Sequence, residues 1–379
     1  MIHRCRPDPS VAFLWQGLHQ ALAHPGQRKR LGMVGGRPLV FVPQARDGLR
    51  WLLRRAGVGA GHEVAVPALI CESVAESILA CGARPLAFGV SERDFGPSAE
   101  ACEAALCDAT KAIVLPHLYG VPADLGAFAA LAEARGCLLV EDCAPCVGGQ
   151  AGDLEVGGGG HAAIYSFKYD KPLALGWGGA IALSPTMAQR FAQPESAPMS
   201  EEDDRLLAAS LVAEHCLTDA ARLGNAFLGM SHALECLLLD DALADELLGL
   251  AGEGQGAARL GDWASARLAL SPPSRFHRLL AGAKRRLRRL APDALRRLKP
   301  PASTRDAVAA RFGGKSLRPA GACEHLLAIQ QERLGEGSDS AARARLAAVY
   351  REGLDAERFV VPAPPRPPAH WLRFPVAVR

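Results

Sequence analysis

Two short apolar runs in the middle of the chain end next to charged side chains. The first run, Leu138 to Val140, leads into Glu141 and Asp142, and the second run, Ala162 to Ser166, is followed by Lys171. Short apolar runs bounded by glycine, proline and charge predict buried strands of a parallel or mixed sheet, where chemistry lies beyond the strand ends. The sequence therefore predicts an acid and an amine at the same edge of a sheet.

An acid and an amine placed in this way have two interpretations. Pyridoxal 5'-phosphate would use both, because a lysine forms a Schiff base with its aldehyde and a carboxylate pairs with its protonated ring nitrogen. A desolvated site with a cationic neighbour would also lower the lysine pKa and make the amine nucleophilic. Alternatively, Asp142 caps a helix and Lys171 is a solvated loop residue, and spacing alone favours this second interpretation.

The same stretch resembles the DegT/DnrJ/StrS family of sugar aminotransferases. The family pattern is a strand ending in Glu-Asp, a glycine-flanked loop, Ser-Phe, three residues, Lys, and Gly-x-Gly-Gly. The matching residues are Glu141 and Asp142, Val156 and Gly157, Ser166 and Phe167, Lys171, and Gly176, Gly178 and Gly179. The resemblance implies that Lys171 is the Schiff-base lysine, Asp142 the pyridinium partner and Ser166 a phosphate ligand.

Residues 36–183 predict the order strand, helix, strand, helix, strand, helix, strand, strand, which is typical of a doubly wound, mostly parallel α/β sheet. This order agrees with the large domain of the fold type I pyridoxal-phosphate transferases, which the resemblance implies for residues 1–185. Residues 186–310 are rich in alanine, leucine and charge and predict a helical insertion. Residues 311–379 resemble the start of a small C-terminal domain. Family members continue further, so we expect this domain to be short or incomplete.

A phosphate cradle is predicted where a helix begins after the apolar run Leu39 to Val42. Free backbone N–H groups and the helix dipole favour an anion at such a helix N-terminus. The family has Gly-Thr and a small residue there, whereas this chain has Ala45, Arg46 and Asp47. Backbone donors survive this change, and Arg46 either pairs with the phosphate or is a solvated arginine.

Two further positions depart from the family pattern. In the family, an aromatic residue that follows this strand, which ends here at Pro67, normally stacks on the pyridine ring. Leu69 to Cys71 contain no aromatic residue, so apolar or sulfur atoms, such as those of Cys71, would contact the ring instead. Pro145 takes the place of a Gln or His near the phenolic oxygen of the cofactor and cannot donate a hydrogen bond. These departures keep open a second hypothesis, a non-catalytic scaffold or regulatory paralogue of the same fold.

Other candidate groups have structural interpretations beside the functional ones. His117, at a strand end, is a substrate or cofactor contact or, more commonly, a hydrogen-bonded structural histidine, and we expect Asp124 to cap or orient a loop. The pair Cys143 and Cys146 forms a CxxC motif, which is typical of thioredoxin-like redox sites. It follows several strand–helix units here and supplies only half of a zinc site, so we predict neither redox nor metal function.

Composition limits the remaining function classes. A formal net charge of +3 on 379 residues predicts no general affinity for nucleic acid. The segment 275–299 is basic and amphipathic, which is typical of contact with an anionic membrane or with phosphates, or of the solvated face of a packed helix, and we favour the last. The 11 cysteines without regular pairing and the absence of a signal-like start predict a reducing cytoplasm.

Taken with the resemblance, these features predict a pyridoxal-phosphate-dependent aminotransferase. The resemblance implies transfer of an amino group from an amino acid, such as glutamate, to a keto nucleotide-sugar, in deoxyaminosugar or surface polysaccharide biosynthesis. It also implies a homodimer in which a neighbouring subunit completes the site. We expect Lys171 and Asp142 to be catalytic, and Ala45, Arg46, Asp47, Cys71, Pro145 and Ser166 to lie around the cofactor.

Overall fold

A computed structural model describes most of the first 220 residues and several shorter segments after them. The described residues are 11–168, 171–191, 197–220, 246, 249, 317–318, 320–335, 345, 347–349, 351–355, 359–360 and 377–378. The basic segment 275–299 and most of the predicted helical insertion lie outside these residues.

Helices and strands alternate through the first half of the chain. The strands are β1 (Leu39–Val42), β2 (Glu63–Pro67), β3 (Arg84–Phe88), β4 (Thr110–Pro116), β5 (Leu138–Asp142), β6 (Gln150–Ala151), β7 (Leu154–Glu155), β8 (Ala162–Ser166), β9 (Gly179–Leu183), β10 (Ala197–Pro198), β11 (Leu317–Arg318), β12 (Phe359–Val360) and β13 (Ala377–Val378). The helices are α1 (Val11–Ala23), α2 (Ala45–Arg55), α3 (Glu72–Leu79), α4 (Ala99–Ala105), α5 (Leu125–Arg135), α6 (Pro185–Arg190), α7 (Glu201–Ala220) and α8 (Gly321–Gly335).

The main sheet has seven strands in the order β1-β9-β8-β5-β4-β2-β3. Strand β9 is antiparallel to both of its neighbours, and the other six strands run in one direction. This confirms the predicted α/β class with a mostly parallel, doubly wound sheet. As a result, the C-terminal ends of β1, β2, β4, β5 and β8 meet at one edge of the sheet, where β9 begins.

Helices cover both faces of the sheet, as alternation of side chains along buried strands requires. On one face, α2, α3 and α6 pack on residues such as Val64, Val114, Val140, Ile164 and Ile181. On the other face, α4 and α5 pack on Ile113, Leu115 and Leu139, and α1, α7 and α8 pack near Tyr165. Each strand therefore contributes its alternate residues to two separate cores.

Within residues 39–183 the order contains one helix and four strands more than the predicted alternation, and two of those strands, β6 and β7, have only two residues each. Helix α4 lacks the spaced large apolar residues that indicate an amphipathic helix, since Cys102 is its only buried residue. Strand β3 is the outermost strand of the sheet, and most of its residues are accessible to solvent. The weak hydrophobic pattern of α4 is why the prediction missed this helix.

Helix α7 lies in the predicted insertion, yet its described part packs with the preceding domain. Leu206, Leu207 and Leu211 are buried in the same core as Leu14 and Leu18 of α1. Helix α8 contacts both α1 and α7. The predicted boundaries at residues 185 and 310 stay predictions. None of the helices in the described part of the chain has the length and apolar character that a membrane crossing requires.

Candidate active site

The sheet edge brings together most of the residues that the sequence singled out. Asp142 is the last residue of β5 and Ser166 the last of β8, and Lys171 lies in the loop that follows. Ala45, Arg46 and Asp47 form the first turn of α2, directly after β1. Because β1, β5 and β8 run in the same direction, all these residues lie at one edge, as the apolar runs predicted.

Asp142 combines deep burial with a nearby cation. Its residue is 5% exposed, and Oδ1 accepts a hydrogen bond of 3.0 Å from the N–H of Ala144. Burial raises the pKa of the Asp142 carboxyl above its ordinary value, although the Ala144 N–H and the charge of Lys171 act in the opposite direction. A cationic partner at the free carboxylate oxygen would remove this penalty.

Lys171 lies in the half-buried loop between β8 and β9, and its backbone N–H bonds to the carbonyl of Lys168 at 3.1 Å. Its charge reaches the Asp142 carboxylate and favours the ionised form. Ser166 is buried at the end of β8 and pairs with Gly179 across the sheet. Acid, amine and hydroxyl thus surround the strand ends from which the prediction started.

The N-terminus of α2 packs tightly against the start of β9. Gln44 precedes the helix and forms a parallel bridge with Gly178. A Cβ atom added to Gly179 would lie 2.5 Å from the backbone nitrogen of Ala45 and 2.8 Å from the carbonyl of Tyr165. The Gly-Gly pair therefore allows backbone to approach the first-turn N–H groups of α2, and glycine is needed there for its size.

The first turn of α2 also differs from the simple cradle in the prediction. The Asp47 carboxylate pairs with Arg50 at 3.3 Å, and burial raises the pKa of Asp47 while Arg50 and Arg46 lower it. The helix begins at Ala45, so Ala45, Arg46 and Asp47 lie within its first turn and Gln44 immediately precedes it. The Oε1 atom of Gln44 is buried without a hydrogen-bond partner among the described residues. Sequence reasoning did not single out this amide.

Cys71 and Pro145 lie in loops at the same edge. Cys71 precedes α3 and is exposed, with its sulfur 3.2 Å from the Oγ of Ser73. Leu69, two residues earlier, is 44% exposed. Pro145 is half-buried in the turn after β5, in which the Cys146 N–H bonds to the Cys143 carbonyl at 3.1 Å. The roles predicted for Cys71 and Pro145 stay predictions.

Glu141 faces away from Asp142 and is fully buried. Its Oε2 lies 3.0 Å from His117 Nε2 and accepts the N–H of Gly157 at 2.8 Å, while Oε1 accepts the N–H of Gly160 at 2.6 Å. Burial raises the pKa of Glu141, but the His117 contact and the two glycine N–H groups outweigh it, so the pKa lies below its usual range. His117 is a hydrogen-bonded buried residue, which is the commoner of its two interpretations.

His117, Glu141 and Cys143 place potential metal-ligand atoms within 4.8 Å of one another. Both ring nitrogens of His117 already have hydrogen-bond partners, because Nδ1 accepts the N–H of Ala123 at 3.0 Å and Nε2 faces Glu141. Burial raises the pKa of the Cys143 thiol far above its ordinary value and that of Cys146 to about 12. A thiol that burial keeps protonated is a poor redox nucleophile. The predicted cap is also present, since Asp124 accepts the N–H of Ala127 at 3.1 Å.

Arg37 is a further buried group that the sequence did not reveal. It donates a hydrogen bond to the Gly158 carbonyl, and burial lowers its pKa while the charge of Glu141 raises it. Its NH1 atom is buried without a hydrogen-bond partner among the described residues. No local pattern distinguishes Arg37 from the surface arginines, because only the folded chain brings it over the glycine loop.

The sequence profile of the DegT/DnrJ/EryC1/StrS aminotransferase family matches residues 34–217. These residues belong to the DegT/DnrJ/EryC1/StrS aminotransferase family. The match extends from the turn before β1 into α7 and includes every residue of the candidate site. Pyridoxal 5'-phosphate is the cofactor of this family.

Two curated relatives illustrate the chemistry of the family. The chain is 37% identical over 160 residues to the UDP-N-acetyl-3-dehydro-alpha-D-glucosamine 3-aminotransferase of Acidithiobacillus ferrooxidans, covering 42% of this chain and 43% of that protein. It is 40% identical over 129 residues to the L-glutamine:2-deoxy-scyllo-inosose aminotransferase of Streptomyces lividus, covering 34% of this chain and 30% of that protein. The chain thus matches less than half the length of these relatives.

A solved structure extends the likeness of fold beyond the matched segment. The crystal structure of an aminotransferase from Streptoalloteichus hindustanus superposes with a TM-score of 0.57 at 21% identity, covering 100% of this chain and 79% of that one. The fold type I architecture predicted from the sequence is therefore confirmed.

The residues at the sheet edge fit pyridoxal 5'-phosphate. Asp142 is a buried carboxylate whose burial penalty a ring N–H⁺ would relieve. The Gly178–Gly179 backbone leaves no room for a Cβ beside the Ala45 nitrogen, as expected of a tight phosphate cradle. The unpartnered Gln44 oxygen beside it is an acceptor, which an ordered water would satisfy and a phosphate oxygen would not.

Proposed function

We propose that this protein is a pyridoxal-phosphate-dependent aminotransferase that transfers an amino group from an amino acid to the keto group of a nucleotide-activated sugar. The observation that carries the proposal is the common position of Asp142, Ser166, Lys171 and the N-terminus of α2 at one sheet edge. An acid, an amine and an anion cradle are the groups that this cofactor requires.

When bound, the cofactor supplies an electron sink for deprotonation at the carbon that bears the amino group. Asp142 would keep the ring nitrogen protonated, because an ionised carboxylate next to that nitrogen stabilises its positive charge. Ser166 and the backbone N–H groups of Ala45 and Arg46 would hold the phosphate, with the Arg46 guanidinium as an added charge. The Asp47 N–H is already bonded to the Gln44 carbonyl at 2.9 Å, so Asp47 would border the phosphate without donating to it. Cys71 and Pro145 would border the ring.

Lys171 would carry the proton at Nζ. Its neutral amine removes a proton from the substrate, and its ammonium returns one at a neighbouring atom, which is general acid–base catalysis by a single group. The lysine has to lose its proton to begin, and a cationic neighbour such as a protonated ring nitrogen makes that loss easier. Asp142 therefore assists Lys171 indirectly by holding that positive charge in place.

The names of the relatives support the substrate class. The Acidithiobacillus relative is named for a UDP-linked dehydro sugar and the Streptomyces relative for a keto cyclitol and L-glutamine. Both acceptors are polyhydroxylated rings with a keto group. We propose a keto nucleotide-sugar as acceptor, in deoxyaminosugar or surface polysaccharide biosynthesis, and glutamate or glutamine as donor.

The wider setting belongs to the same proposal. We propose a homodimer in which the second copy completes the site, and light scattering of the purified chain tests it. We propose a cytoplasmic reaction, since a reducing compartment agrees with the eight described cysteines, which are all free.

Reduction of the loaded protein with borohydride tests the cofactor assignment directly. The purified chain should absorb near the edge of the visible range after incubation with pyridoxal 5'-phosphate, and borohydride should abolish that band. Peptide mass spectrometry should then find the reduced cofactor on Lys171. Lys168→Ala is the matched control, because Lys168 is an exposed lysine in the same loop.

We expect Lys171→Ala to lose the adduct and to reduce amino transfer by about two to four orders of magnitude. Lys168→Ala should keep both the adduct on Lys171 and the rate of amino transfer. An adduct on another lysine would overturn the assignment of Lys171. A chain that takes up no cofactor would instead favour the scaffold hypothesis, which the exposed Leu69 and Cys71 in place of a stacking aromatic keep open.

A further inference from the structure

A buried hydrogen-bond chain joins three segments behind Asp142. His117 follows β4, Glu141 lies in β5, and Gly157 and Gly160 belong to the loop before β8. The side chains of His117 and Glu141 are both 0% exposed. The backbone N–H of His117 also donates to the carbonyl of Asp142 at 3.2 Å. His117 and Glu141 therefore hold Asp142, the last residue of β5, although their own side chains do not lie at the sheet edge.

The partners determine how His117 is protonated. Because Nδ1 accepts the N–H of Ala123, the ring proton is on Nε2 and is donated to Glu141. The imidazole is thus neutral and the carboxylate is charged. The Glu141 charge is balanced by the field of Arg37 and by the two glycine N–H groups. His117 Nδ1 and both carboxylate oxygens of Glu141 each accept a hydrogen bond, so the two side chains hold a single geometry.

We propose that His117 and Glu141 are positioning residues that fix the end of β5, so that the Asp142 carboxylate faces the ring nitrogen of the cofactor. The inference rests on the proposed function and deepens it. Successive strand residues point to opposite faces, so anchoring Glu141 on one face sets the direction of Asp142 on the other. Groups that orient a functional carboxylate without touching the ligand commonly govern how well it works.

Two substitutions of the same histidine separate its two hydrogen bonds. In His117→Asn the amide oxygen takes the place of Nδ1 and keeps the Ala123 bond, but the donor to Glu141 is lost. In His117→Gln the amide nitrogen takes the place of Nε2 and keeps the donor to Glu141, but the Ala123 bond is lost. Both are measured in the full chain for the dissociation constant of pyridoxal 5'-phosphate.

A second measurement follows the Asp142 carboxyl carbon by NMR as a function of pH in the cofactor-free chain, with Asp142→Asn to assign the signal. The groups that act on Asp142 are Lys171, His117 and the Ala144 N–H. We expect His117→Asn to raise the pKa of Asp142 and to weaken cofactor binding about tenfold, the size of one hydrogen bond to a charged group. His117→Gln should stay within about twofold of wild type.

The outcomes decide between positioning and mere stability. If both variants bind the cofactor like wild type and only unfold more readily, the network is structural and the proposal is overturned. Equal losses in both variants would assign the effect to the Ala123 bond and also overturn it. Should His117→Asn fail to fold, Glu141→Gln takes its place, with the exposed Glu155→Gln as control. If wild type binds no cofactor, the proposed function fails, while the Asp142 titration still reports whether His117 acts on that carboxyl.

Discussion

Glu141 and Asp142 show how strongly the surroundings differentiate two neighbouring carboxylates. Glu141 has a lowered pKa because His117 and two glycine N–H groups satisfy its oxygens. Asp142 has a raised pKa because burial outweighs the single N–H from Ala144 and the charge of Lys171. One acid is therefore satisfied within the fold, whereas the other pays a desolvation penalty that a cationic ligand would remove.

This difference predicts a pH-dependent effect of Asp142→Asn on the cofactor-free chain. The folded pKa of Asp142 lies above its ordinary value of 3.8, so the ionised carboxyl destabilises the fold as pH rises through the raised pKa. We expect the variant to be more stable than wild type at about pH 8 and equal to it at about pH 4. Urea unfolding at both pH values measures the difference.

Addition of pyridoxal 5'-phosphate should make wild type more stable than Asp142→Asn at the higher pH, since only wild type has the carboxylate that the ring nitrogen pairs with. Asp108→Asn, in an exposed turn, is the control and should leave stability unchanged at both pH values. A variant that is less stable than wild type without cofactor at the higher pH would contradict the burial penalty assigned to Asp142.

At the scale of elements, the site depends on how closely α2 and β9 approach each other. Strand β9 pairs with both β1 and β8, and its first residue is Gly179. The Gln44–Gly178 bridge holds the start of α2 beside it. The position of the first-turn N–H groups therefore depends on a contact between segments more than 130 residues apart, in which one partner has no side chain.

Gly179→Ala should disturb this contact. The added methyl group would lie 2.5 Å from the Ala45 nitrogen, so β9 or the start of α2 has to move. We expect a loss of about 1–3 kcal/mol in the free energy of unfolding, which is typical of overpacking, and weaker cofactor binding. Urea unfolding and a cofactor titration measure the two effects.

Gly126→Ala provides the matched control. A Cβ atom at Gly126 in α5 would come no closer than 3.8 Å to the Oδ1 of Asp124. The same methyl group should therefore stabilise the protein by up to about 1 kcal/mol, because alanine is the better helix former. Similar losses in both variants would show that the close approach at Gly179 is not the cause.

At the scale of the whole molecule, one buried aspartate links α7 to α8. Asp204 accepts the backbone N–H groups of Ala320, Ala322 and Cys323 at 2.9, 2.6 and 3.2 Å. These groups form the start of α8, 116 residues or more along the chain. Both helices pack against α1 and the sheet. A distant segment is thereby joined to the domain that carries the site.

Asp204→Ala should loosen this link. It leaves three N–H groups at the start of α8 without their acceptor, and we expect a loss of about 1–3 kcal/mol. Hydrogen exchange at the Ala322 and Cys323 amides should increase more than exchange in β5. Glu202→Ala removes an exposed acid from the same turn and should change neither. Equal exchange in wild type and Asp204→Ala would refute the capping role.

The sequence by itself determined the elements whose pattern is local. Strands β1 and β8 have the predicted bounds and Asp124 caps α5 as predicted, because a bounded apolar run or a capping aspartate is decided by neighbouring residues. The same local signals indicated that Asp142, Ser166 and Lys171 follow strand ends. The motif Glu-Asp, Ser-Phe, Lys and Gly-x-Gly-Gly then indicated the family.

Only the tertiary structure decided how these elements meet. The strand order, the reversed direction of β9 and the enclosure of Glu141 by His117, Gly157 and Gly160 depend on contacts between distant segments. Hydrogen bonding and desolvation depend on distances in space, so the opposite pKa shifts of Glu141 and Asp142 follow from no pattern along the chain. The burial of the Arg37 guanidinium and of the Gln44 amide oxygen was not predicted for the same reason.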